Sequence, residues 1–249
     1  SKKPYETKLV NISFITDKIF GNIMLGKHDV AEDLILFLRE NVRRNTFSYF
    51  KSKYYSFINY IFWKKYYKLY GIVNDVTKDK TLKLFKNQYE NWKIREAYVH
   101  FLIEAGIIKL SQPDKDNYKS FKLGKFINDV PIYSKDKRGK NISILIVQML
   151  FFIVRGQNDN AIERIDSLKQ YTYRYLRNDD TFRSNCFIKM LVNIPEANFY
   201  RARVKARSKS LELKLLHSEF SLQGINKDIE IIPFNFLWNI IMNVLEDKK

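Results

Sequence analysis

The chain has 249 residues, 45% of them hydrophobic, so it can bury a real core, and its formal net charge of +17 directs attention to acidic partners. Its single cysteine, Cys186, excludes an intrachain disulfide and a four-cysteine zinc site. With only 8 Gly and 5 Pro there is too little turn chemistry for an all-β domain of this length, which leaves helices as the expected elements.

In chain order, Leu9, Ile12, Ile15, Ile19 and Ile23 recur every three or four residues and predict a first helix that stops at Gly26. Asp29 with Glu32 reads as a capping box opening a second helix, whose buried stripe is Ala31, Leu34, Leu38 and Val42. Residues 47–70 then carry an aromatic side chain at about half their positions, with Lys51, Lys53, Lys64, Lys65 and Lys68 between them. This stretch predicts one helix sandwiched by neighbours, its Tyr hydroxyls and Lys heads reaching water. Residues 80–105 predict a long helix ended by Gly106, and the polar stretch 111–120, with Pro113, is the best internal boundary. The expected organisation is therefore residues 1–110 as helical hairpins and 121–249 as a second helical region, the two forming one continuous superhelix.

The second region opens with a short helix at 121–130 and a basic loop over 133–141. Helices follow at 141–155, 158–176, from 179 or 180 through 192, and 196–216, with Pro195 separating the last two. Ile142–Val154 is the strongest apolar run, but a membrane span needs about 20 apolar residues, so it reads as a buried core helix. Residues 229–232 are β-branched and suggest a lone extended segment before a closing amphipathic helix at 234–245. The first residues lack the apolar stretch of a signal peptide, and with one thiol in the chain the expected setting is cytoplasmic.

The pair of helices over Asn141–Leu176, with Leu145, Leu150, Gly156 in the turn, then Ala161, Leu168 and Tyr171, resembles a divergent tetratricopeptide repeat. Trp92 through Gly106, with Ala97 and Ala105, is similar. The run Arg183–Leu191, together with Glu230–Phe234 and Leu237-Trp238, resembles a family of bacterial proteins of unassigned function, over residues 80–249. These resemblances imply an all-α, right-handed superhelix of stacked antiparallel hairpins. They bring no activity with them, and the role they imply is binding on an extended surface.

No catalytic or cofactor motif accompanies this pattern. His28, His100 and His217 lie far apart, without a His or Cys at helical spacing, so no metal is expected. There is no phosphate-binding Gly-rich loop and no nucleophile elbow. Cys186 has Arg183 and Lys189 about a turn away, but Phe182, Phe187 and Met190 surround it, which reads as a packed thiol. The charge is uneven: residues 121–210 carry a balance of +10, against −2 over 211–249. The candidate binding residues are Lys135, Lys137, Arg138 and Lys140 from the basic loop, Gln170, Arg174 and Arg177 on one polar helix face, and Arg201 and Lys205 on the next helix. The expected function is a non-enzymatic scaffold without cofactor that binds a protein or peptide, acidic to complement the charge. The alternative is RNA or DNA held through phosphate contacts.

Overall fold

The computed structural model describes residues 4–129, 140–176, 181–218, 220 and 229–245. Every regular element among the described residues is helical: twelve α-helices and two short 3-10 turns, with no strand. The chain divides into two units. One contains the residues up to Trp92 together with Ile108–Leu110, and the other contains Lys93–Ile107 and the residues from Ser111 onward.

The first unit is built from α1 (Pro4–Met24), α2 (His28–Glu40), α3 (Phe47–Phe62), a 3-10 turn at Tyr66–Lys68, α4 (Leu69–Lys78) and a second 3-10 turn at Lys80–Leu84. It also takes the opening turns of α5 (Lys86–Glu104). Each helix from α1 to α4 packs on its sequence neighbour. Ile19, Ile23, Ala31, Ile35, Leu38, Phe50, Phe57 and Trp92 are buried, and Phe57 meets Trp92 edge-on at 6.0 Å. The Tyr60 hydroxyl donates to the Glu32 carboxylate, so this half-buried ring does keep its polar tip satisfied.

Three local expectations are corrected here. The aromatic stretch is not one helix: Lys64 adopts a left-handed φ of 58°, and the N–H groups of Lys64 and Lys65 donate to Ile61 and Tyr60 at 3.1 and 2.9 Å. Gly26 closes α1 with the same bond pattern, so a lysine stands where a glycine is usual. Asp29 caps nothing. The residue before α2 is Lys27, without a side-chain cap, and Asp29 lies within the first turn, where its charge favours the helix dipole. The segment expected as a helix from 80 starts as a 3-10 turn capped by Asp79, whose carboxylate accepts from the Thr81 N–H at 2.9 Å.

The second unit continues α5 and adds α6 (Gln112–Asn117), α7 (Leu123–Asp129), α8 (Lys140–Val154), α9 (Asn158–Tyr175), α10 (Phe182–Glu196), α11 (Arg201–His217) and α12 (Phe234–Val244). α8, α9, α10 and α11 pack in sequence order, while α12 returns to touch α8, α10 and α11. That return explains why α8 is buried from Asn141 to Phe151: it has neighbours all round. Phe187 of α10 stacks on Phe234 of α12 at 4.4 Å, and Trp238 is fully buried. Among the described residues no helix is long and apolar enough to cross a membrane.

Residues 229–232 form no strand; Ile229 is helical and the rest irregular, all four are buried, and they hold the polar centre of this unit. Arg183 grips Glu230 with two bonds of 2.8 and 2.7 Å, and its Nη1 donates to the carbonyls of Leu215 and Ser218 at 2.7 and 2.5 Å. Burial pushes the Glu230 carboxyl up, while Arg183 and the Phe234 N–H, which donates to it at 2.8 Å, pull it back. The Ser143 hydroxyl donates to the Ile229 carbonyl at 3.1 Å, which ties α8 to the same segment. One side chain thus joins α10, the end of α11 and the approach to α12. Pro195 does not separate two helices either: it sits in the last turn of α10.

Candidate functional site

α10 is the central helix of a three-helix surface. Its core face is apolar, with Phe187, Ile188, Met190, Leu191 and Ile194 buried. Its opposite stripe, at helical spacing, is Asn185, Lys189, Val192, Asn193 and Glu196. That stripe floors a groove of about 600 Å³. One wall is Lys169, Thr172 and Tyr173 of α9, and the other is Arg207 and Leu211 of α11.

The local sequence explains how the groove stays open. On α11, Val204, Ser208 and Leu215 are buried, and the fully buried Ser208 accepts a 3.1 Å bond from the Asn193 amide. A hydroxyl there allows close approach and satisfies a polar group on the groove floor. On α9, Ala161, Ile165, Leu168 and Thr172 are buried, while Ile162 is 51% exposed. α10 ends immediately after Glu196: Asn198 and Phe199 both take left-handed φ values, 54° and 60°, and their N–H groups close on Pro195 and Ile194 at 2.8 and 2.9 Å. Two successive non-glycine residues in this region are strained, and the strain reverses the chain into α11.

Charge is concentrated at that end. Lys169 Nζ lies 2.5 Å from Glu196 Oε1, and Arg207 Nη1 lies 3.8 Å from Glu196 Oε2 while donating to the Glu196 carbonyl at 3.0 Å. Both cations also sit favourably at the negative end of the α10 dipole. Lys189, two turns back on α10, is exposed and has no carboxylate partner among the described residues. The groove therefore presents three cations and one carboxylate, with Val192 on its floor and Leu211 on its wall as apolar contacts.

Of the residues expected to bind, Gln170 and Arg174 are exposed on α9, one position beyond the wall residues Lys169 and Tyr173. Lys140 begins α8 and Arg201 begins α11, both half-buried, and Lys205 is exposed on α11. None of these five lines the groove. Lys135, Lys137, Arg138 and Arg177 lie outside the described residues. The expected helices supply the groove, but the residues differ because one position is a rotation of about 100° on a helix. The missed signal was the single hydrophilic stripe of the otherwise apolar α10.

Other reactive groups are held in packing roles. The Cys186 thiol is buried, and burial pushes its pKa up against the pull of Lys189, Lys214 and Arg183, the reverse of an activated thiolate. His100 stacks on Phe121 at 5.0 Å and lies 3.1 Å from the Tyr118 hydroxyl, and burial lowers its pKa. No group of three or more potential metal ligands occurs among the described residues. The first unit has its own groove of about 670 Å³, lined by Arg39, Arg44, Lys53, Glu40 and Asp75, where Lys53 is paired with Asp75. Val42 and Tyr49 line it as well.

No family model, no curated protein and no solved structure matches this chain.

Proposed function

We propose that this protein is a non-enzymatic helical scaffold, repeat-like in the tetratricopeptide manner, that binds an acidic segment of a partner protein along the α9–α10–α11 groove. The supporting observation is the groove's composition, with Lys169, Lys189 and Arg207 spaced around apolar Val192 and Leu211. Helix-lined grooves of this kind take peptides by apolar anchors, and the flanking charges set orientation and partner choice. A net charge of +17 adds long-range attraction for such a segment. A cytoplasmic setting goes with this reading.

The outer surface of α11 favours a second reading. Lys205 and Lys209 are exposed on one face of it, outside the groove lining, a pair of cations that suits phosphate contacts of RNA or DNA. Parallel fluorescence-anisotropy titrations separate the two. For a peptide groove, a labelled acidic amphipathic peptide binds, its affinity survives physiological salt, and Lys189→Glu abolishes it. For nucleic acid, a labelled RNA binds instead, with affinity falling steeply as salt rises. Binding of RNA with none of the peptide would overturn the first reading.

A further inference from the structure

Glu196 is an acidic residue in a basic groove, and it occupies the point where cations from two other helices converge. The pair Lys169–Glu196 joins α9 to α10, and Arg207–Glu196 joins α10 to α11. Neither cation is buried: Lys169 and Arg207 are 49% and 53% exposed, and Glu196 is 35% exposed. Solvent-exposed pairs of this type contribute little to stability, about 0–1 kcal/mol, so they exchange partners at low cost. Resting on the binding function proposed above, we infer that Glu196 is an internal stand-in for a partner's carboxylate, displaced from Lys169 and Arg207 when an acidic helix enters the groove.

The same geometry specifies the helix. Lys189 and Glu196 are seven residues apart on α10, an axial spacing of about 10 Å. A partner helix lying along α10 meets both ends of that spacing with carboxylates at positions i and i+7, one for Lys189 and one for the Lys169–Arg207 pair. Val192 and Leu211 lie on the floor and wall between them, where apolar side chains at i+3 and i+4 of the same face fit. The occupant is thus an acidic amphipathic helix with glutamates two turns apart and leucines between.

The probe is a fluorescein-labelled helical peptide of about 18 residues built from Ala, Gln, Glu and Leu, with one Glu–Leu–Leu–Glu face at i, i+3, i+4 and i+7. A control peptide has Gln in place of the second Glu. Removing the internal competitor with Glu196→Gln should tighten the probe about two- to five-fold, the equivalent of freeing one screened ion pair. The control peptide should gain nothing, and Lys169→Gln combined with Arg207→Gln should erase the gain. If Glu196 only clips the helices together, Glu196→Gln lowers the melting temperature and leaves probe affinity unchanged or weaker. That result overturns the stand-in and leaves the groove as a binding site. Failure of the probe to bind wild type or any folded variant, with folding checked by circular dichroism, overturns the binding function as well.

Discussion

Two polar networks, one in each unit, are secured in opposite ways. In the first, Glu32 meets the Tyr60 hydroxyl and lies 3.4 Å from Lys68 Nζ, with the Lys and Glu side chains 35% and 24% exposed. In the second, Arg183 and Glu230 are 10% and 3% exposed, and between them they bond to three backbone groups. Water can replace either partner of the first network, whereas nothing replaces a partner of the second. An ion pair therefore has a different meaning at each of these two places, decided by burial together with the closer, two-bond geometry of the Arg183–Glu230 pair.

Breaking the buried pair has the largest expected effect. Arg183→Ala leaves the buried Glu230 carboxylate without its counter-ion, and should cost about 3–5 kcal/mol in urea unfolding. A loss under about 1 kcal/mol would show that water reaches this site and that the contrast between the units is false. An intermediate case sharpens the scale. Arg155 pairs with both oxygens of Glu104 at 2.7 Å and donates to the Phe121 carbonyl at 2.8 Å, but is 25% exposed. Arg155→Ala should cost about 1.5–3 kcal/mol in the same assay. Lys68→Ala, in the open network of the first unit, should cost no more than about 1 kcal/mol, and added salt should mask part of that.

The smallest effect is a pH dependence. Burial places the His100 pKa below its ordinary 6.5, so the unfolded chain binds more protons than the folded one between the two values. The stability from neutral His100 is complete above about pH 6.5 and is lost as pH falls through the folded value. His100→Phe should flatten this part of the melting-temperature profile and keep the stack on Phe121. An unchanged slope in the variant would assign the dependence to carboxylates instead.

Helix starts and stops were legible to the extent that residue chemistry marks them. Gly26, Gly106 and Gly156 end helices with positive φ, as their type suggests. Lys64 and Asn198 end helices in the same region of backbone space, and neither the break at 63–65 nor the reversal after Glu196 was anticipated. A left-handed lysine costs about 1–2 kcal/mol locally and has no signature, because its closing hydrogen bonds and the packing of flanking helices decide it. The α9–α10–α11 groove draws on the helices that carry Gln170, Arg174, Arg201 and Lys205, but other positions on those helices line it. Gln170 and Arg174 were read from the most polar side of α9, while the groove uses the edge between its polar and buried faces, at Lys169, Thr172 and Tyr173.

Composition and apolar periodicity by themselves determined the all-α class, the run of helices and the burial of α8, since those follow from spacing along one chain. Only the tertiary structure decided that α12 packs back onto α8, that Arg183 finds Glu230 across 47 residues of sequence, and that Lys169, Glu196 and Arg207 converge. Local pattern fixes which face of a helix avoids water. Which helix meets that face depends on contacts between residues distant in sequence, and no local pattern encodes them.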